Sequence, residues 1–311
     1  MNNLKKLGLT ALASSLVAST AFAGTLEVTG TAAVKYQSKS GSAGTASVQQ
    51  NPWSDNTDIS FDGSGELDNG WTVGYHQLIS GGAFSSSNVT LDMGDAGMVA
   101  FGNNSALGGI DTIKDKMPTA GEEVWDDQGT GDDAGVTDVG SDASINYKID
   151  VSGITASASY ARTGVGTDTS VALVAADLVE GAEFGVGTAT NVTTTSGIED
   201  DMMTAYAKYT SGPVTVGVQL SEIDKTAANS DIDREAAAIS FAVNENMSIS
   251  YGISNVQYES SSLVDAESTG ISASYTMGGM TIGAVANKTD SFGGSAGADA
   301  EFTEVSIAFA F

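Results

Sequence analysis

Apolar and polar residues alternate one for one along stretches of this chain, and that leaves little choice of secondary structure. In Leu26, Val28, Gly30, Ala32, Val34 and Tyr36 one face is apolar or small, while Glu27, Thr29, Thr31, Ala33 and Lys35 make the other mostly polar. Only an extended strand throws successive side chains to opposite sides, so this stretch is a ribbon with one greasy and one wet face. At about ten residues, it has the length that crosses a bilayer at a tilt. The pattern returns at Ile59, Phe61, Gly63, Gly65 and Leu67, set against Asp58, Ser60, Asp62, Ser64 and Glu66. A strand buried on both faces would not hold that acidic row.

Asp68-Asn69-Gly70 then reads as a hairpin turn, because Asn and Gly accept positive φ, and the chain resumes with Trp71, Val73 and Tyr75 on one face. Continued along the chain, the pattern predicts sixteen strands: 25–36, 57–67, 71–80, 86–93, 98–102, 142–150, 153–162, 168–177, 182–191, 201–210, 213–222, 235–243, 247–256, 267–276, 280–288 and 302–311. Their connections fall into two kinds that alternate. Those at 68–70, 94–97, around 151, 178–181, 211–212, 244–246 and 277–279 are tight turns. Those at 37–56, 103–141, 192–200, 223–234, 257–266 and 289–301 are longer and rich in Ser, Gly, Asp and Asn, with 81–85 and 163–167 as shorter members. A soluble sandwich has no reason to place every tight turn at one end, whereas an outer-membrane barrel does. The expected fold is therefore all-β: a transmembrane antiparallel β-barrel of about 16 strands with short periplasmic turns and long external loops.

The composition agrees: 38 Gly but 3 Pro, and 16% charged residues, suit many short strands joined by Gly-rich turns. A mean hydropathy of -0.01 is too polar for a helical membrane protein. The first 23 residues read as an export signal, with Lys5 and Lys6 ahead of an apolar Leu7–Val17 stretch and Ala21-Phe22-Ala23 as the small-x-small cleavage site; a retained anchor is the alternative. The barrel would then occupy 24–311. No Cys is present, so no disulfide frame supports the exported chain. Twelve Lys+Arg stand against 39 Asp+Glu, a formal charge of -27, which disfavours nucleic acid as a partner and favours cations. The tail Glu304-Val305-Ser306-Ile307-Ala308-Phe309-Ala310-Phe311 puts its large apolar groups on one side. In hydrocarbon no backbone donor or acceptor is left unpaired, so the last strand is expected to close on the first with Phe309 and Phe311 toward lipid.

These residues resemble the trimeric general porins of Gram-negative outer membranes, within them the alphaproteobacterial type. The resemblance spans the mature chain. It rests on the Gly65-Glu66-Leu67-Asp68-Asn69-Gly70 hairpin, Val99-Ala100-Phe101-Gly102 leading into the longest loop, Asn146-Tyr147 before a tight turn with Tyr160 after it, and the terminal aromatic. It implies a homotrimer, and a final strand whose Phe309 and Phe311 are read by the assembly machinery, with Ser306 where the family usually has Gly. It also implies that the segment from Asn103 to about Ser141 folds into the barrel as a constriction. That segment carries Asp111, Asp115, Glu122, Glu123, Asp126, Asp127, Asp132, Asp133 and Asp138 against Lys114 and Lys116, with Trp125 as an anchor; an ordinary solvated surface loop is the alternative. The family often sets an Arg cluster opposite these carboxylates. Here strand parity puts Asp58, Asp62, Glu66, His76 and Asp92 on the lumen wall with Lys35 the main cation of the early strands, which predicts a pore acidic on both sides.

The expected function is a passive, cation-preferring diffusion channel for small hydrophilic solutes, set in outer-membrane lipid, since carboxylate rings select cations. No cofactor and no metal site is expected: the run Asp126-Asp127-Gln128-Gly129-Thr130-Gly131-Asp132-Asp133 lacks EF-hand spacing, leaving only loose divalent binding at external loops. His76 is the only histidine, and no Gly-x-Ser-x-Gly element stands in a strand-to-helix setting, so an enzymatic barrel is disfavoured. The competing reading is a non-conducting structural or adhesive outer-membrane barrel.

Overall fold

The structure, a computed structural model, describes residues 24–41, 51–103, 107–124, 136, 143–162, 164, 166–176, 178–193 and 197–311. The expected export signal, Trp125, Asp126 and Asp127 lie outside the described residues. The chain forms sixteen strands: β1 (Thr25–Gly41), β2 (Trp53–Glu66), β3 (Thr72–Ser80), β4 (Ala83–Asp92), β5 (Met98–Gly102), β6 (Ser144–Val151), β7 (Ile154–Arg162), β8 (Gly166–Ala176), β9 (Ala182–Thr193), β10 (Ile198–Ser211), β11 (Val214–Asp224), β12 (Ile232–Asn244), β13 (Met247–Tyr258), β14 (Ala266–Met277), β15 (Met280–Asp290) and β16 (Ala300–Ala310). Each pairs antiparallel with its neighbours in sequence, and β1 pairs with β16, so the sheet is a closed barrel without an edge.

Closure is made by the residues the tail suggests. Gly30 N donates to Phe311 O at 2.8 Å and Phe311 N returns the bond to Gly30 O at 2.9 Å, continuing the register Thr31 with Ala310. Phe309 and Phe311 are exposed on the outer wall with Val305 and Ile307, beside Val34 and Tyr36 of β1. The same wall carries exposed Val28, Val171, Leu173, Val216, Val218, Ile253 and Ile271, an apolar belt covering every strand pair. Aromatics such as Trp71, Tyr75, Tyr147, Tyr209 and Tyr275 stand beside the short turns, as the girdle of a membrane barrel requires.

The Asp68-Asn69-Gly70 hairpin forms as expected, with Gly70 at φ +82° and its N–H donating to Leu67 O at 2.8 Å. Two features differ from the sequence reading. Several strands run further toward the long loops than the apolar belt does, β1 to Gly41 and β12 from Ile232, because paired backbone persists above the membrane where side chains no longer alternate cleanly. The β3–β4 connection is a two-residue turn at Gly81 and Gly82, both with positive φ, so one member of the long-loop end is tight.

Candidate functional site

After β5 the chain turns into the barrel, and residues 107–124 lie across the inner wall. The hydrogen bonds trace the route. Gly109 N donates to Ser157 Oγ of β7 and Ile110 N to Ser170 Oγ of β8, each at 3.1 Å. Gln219 of β11 clasps the middle: its Nε2 donates to the carbonyls of Ile113 and Lys114 at 2.9 Å, and its Oε1 accepts from Lys116 N at 3.0 Å. Ala120 N donates to Ser250 Oγ of β13 at 2.9 Å, and Asn287 Nδ2 of β15 donates to Glu123 O at 2.8 Å. Backbone groups without a sheet partner are thereby satisfied by wall side chains.

The underside of this segment is apolar. Ile110 and Ile113 are fully buried, with Met117 and Val124 close behind, against Ala161, Ala172 and Ala189 of the inner wall. The wall is pared down to receive them: a Cβ at Gly187 would sit 2.8 Å from Ile113 Cδ1, one at Gly217 2.6 Å from Pro118 Cδ, and one at Gly252 2.9 Å from Val124 Cγ1. Unlike the lipid-facing belt, these side chains leave water when they pack, so each isoleucine contributes about 1.5–3 kcal/mol to seating the segment. The signal was present in sequence as small residues at inward positions of β7 to β14, but parity alone does not distinguish a bed for a loop from an open lumen.

The acids fall into separate groups. Lys35 Nζ lies 3.4 Å from Glu122 Oε1 and 3.2 Å from Glu304 Oε2, and Gln37 Nε2 donates to that buried Glu304 at 2.7 Å. This joins the inward segment to β1 and β16. Asp62 Oδ1 lies 2.7 Å from His76 Nδ1 across β2 and β3. Asp58 accepts from Asn56 Nδ2 at 3.1 Å and from Thr31 Oγ1 at 3.4 Å. Asp111, on a 3-10 turn at Gly109–Thr112, is buried, and it lines one cavity with Asp115. Glu123 is half-buried. Asp92 accepts from Gly94 N at 2.9 Å, capping a turn, and Glu66 is exposed one register step away through Thr72. Those two sit at the short-turn rim, away from the inward segment.

Cations that the sequence reading left aside stand on the opposite wall. Lys148 of β6 and Lys208 of β10 face the lumen near Lys116 of the inward segment. Lys208 Nζ is 3.0 Å from Glu183 Oε1, which also accepts from Tyr206 Oη at 2.6 Å. Burial, and then the nearby Lys208 ammonium, hold the Lys116 pKa below the usual lysine range. Arg234 of β12 is buried toward the lumen, its Nε donating to Ser254 Oγ at 3.0 Å. The described lumen is thus acidic beside β1–β3 and the inward segment, and mixed beside β6–β12.

No curated protein matches the chain. Among solved structures, a triple mutant of Rh. blastica porin matches at 14% identity over 92% of this chain and 100% of that one, with a TM-score of 0.67. A loop L8 deletion mutant of OmpT, an outer membrane protein of Vibrio cholerae, matches at 13% identity over 93% of this chain and 100% of that one, also at 0.67. These likenesses speak for the fold, and the sequence itself matches the Gram-negative porin family over residues 8–311. A sealed cylinder, apolar outside and polar within, with a loop laid across its bore, belongs by that match to the Gram-negative porin family, the outer-membrane channels.

Proposed function

We propose that this porin is a passive, cation-preferring diffusion channel for small hydrophilic solutes, narrowed by the 103–141 loop. The carrying observation is the carboxylate-bearing segment 107–124 seated inside the bore, with Asp111, Asp115, Glu122 and Glu123 on it, and Asp58 and Asp62 on β2, beside the β1 strand whose Lys35 meets Glu122. A low-dielectric wall focuses the field of such charges on the passage, enriching cations and excluding anions. Lys35 offsets part of this charge, shared between Glu122 and Glu304. Asp126 and Asp127 are assigned to the same narrowing, and Glu66, His76 and Asp92 to the wall below it. The chain is exported by a cleaved signal over residues 1–23, inserted through its terminal Phe309 and Phe311, and assembled as a homotrimer, by resemblance to the general porins.

Planar-bilayer recording under a KCl gradient tests this. The expected result is steady conductance with a reversal potential toward the potassium equilibrium value, fading as the Debye length falls from about 8 Å at physiological salt to about 3 Å at 1 M. A reversal potential at zero or toward chloride overturns the cation preference. A silent barrel favours the structural or adhesive reading instead.

A further inference from the structure

On the short-turn side of the inward segment the lumen opens into two adjoining cavities of about 520 and 500 Å³ that share Lys116 and Glu183. Three ammonium groups gather here from three different elements: Lys116 from the loop, Lys148 from β6 and Lys208 from β10. One wall carboxylate, Glu183, is tied to Lys208 and Tyr206. Asp111 and Asp115 border the same larger cavity from the loop side. The space therefore carries both signs on both sides: Lys148, Lys208 and Glu183 on the β6–β10 wall, and Lys116, Asp111 and Asp115 on the loop. Lys116 is held charged at a cost, because it is buried and faces Lys208, and Glu183 and Asp115 offset only part of that cost. An anionic group placed between the two ammonium groups would relieve that cost, at charge-assisted hydrogen-bond distances of about 2.7–2.9 Å. An acidic approach discourages a bare anion, whereas a molecule of zero net charge passes it.

We propose that these cavities form a solute site for small zwitterions, the carboxylate held between Lys116 and Lys208 and the ammonium directed toward Asp111 and Asp115. The proposal rests on the channel reading and names a substrate class for it. The site adjoins the narrowing on its short-turn side, so a zwitterion dwells there in transit and interrupts the ion current.

Single-channel recording with 4-aminobutanoate, and with butanoate and butylamine as its two half-molecules, reads the dwell. The expected result is saturable interruption by 4-aminobutanoate and not by either half. Lys116→Gln with Lys208→Gln weakens it by about tenfold or more, the loss expected for removing charge-assisted contacts. Glu183→Gln, which removes the competing wall carboxylate, strengthens it. A conducting wild-type pore without saturable interruption, an equal response to butanoate, or an unchanged response in the double variant overturns the site. Calorimetric titration of the detergent-solubilised protein with the same three compounds separates the two readings: a silent barrel that binds 4-aminobutanoate loses the channel and keeps the site, and a silent barrel that does not bind it loses both.

Discussion

Gly30 occupies the place in β1 where the ring of Phe311 crosses the outer wall, and a Cβ there would come within 2.6 Å of Phe311 Cε2. The two residues also exchange the backbone bonds that end the β1–β16 seam. A glycine at this point lets the terminal aromatic lie flat against the sheet and keeps the last pair of bonds in the ladder. Gly30→Val forces the ring away and is expected to cost about 1–3 kcal/mol, as overpacking does. The measurement is the fraction of folded, heat-modifiable protein on a gel after refolding into detergent; Ala32→Val, one outward position along, is the control. Equal yields for the two variants would refute the steric account. The alternation placing Gly30 outward was legible from sequence, but its contact with Phe311 was not, because register across the seam joins residues about 280 positions apart and no local signal sets it.

The strands were the most readable elements, since lipid outside and water inside enforce a period of two that few other settings sustain. Their upper ends were less readable because above the belt both faces meet water. The inward segment was legible as a long acidic loop, and its fate rested on resemblance; what seats it is a set of inward Ser, Gly, Ala and Gln positions scattered over β7 to β15 that carry no motif. Gln219 is the clearest of these, fully buried and bonded to three successive stations of the segment, Ile113, Lys114 and Lys116. Gln219→Leu keeps the volume and leaves those backbone groups unsatisfied, each at about 1–3 kcal/mol. The expected outcome is a barrel of unchanged thermal stability whose inner segment becomes protease-sensitive and whose open-channel current grows noisy. A quiet, resistant variant would show that the apolar underside alone holds the segment.

At the scale of the whole molecule, charge is distributed unevenly, although the sequence suggested an acidic pore on both sides. Parity put Asp58, Asp62 and Lys35 on one face of their strands, but Lys148 and Lys208 are isolated lysines on unremarkable strands, and only the fold brings them to Lys116. The pH response follows from this grouping. The folded state disfavours the charged form of Lys116, a cost fully present at neutral pH and relieved as pH rises through its lowered pKa. Lys208, Glu183 and Asp115 are the charged groups facing it. As the pH rises toward the ordinary lysine range, Lys116 is expected to discharge ahead of an unperturbed lysine. The reversal potential should then move further toward potassium, and Lys116→Gln should flatten that movement; an identical pH curve in the variant would contradict it.

The inward segment leaves the wall between β5 and β6, and its far end is pinned by Ser250, Asn287 and Lys35, of which Lys35 also reaches Glu304 across the seam where the last strand joins the first. The Lys35 contact is thus completed only when the seam forms, long after the segment itself has been made. A sheet stalled short of closure lacks that last tie as well as the β1–β16 ladder, so one event, the meeting of the two ends of the polypeptide, both seals the cylinder and finishes fastening its narrowing.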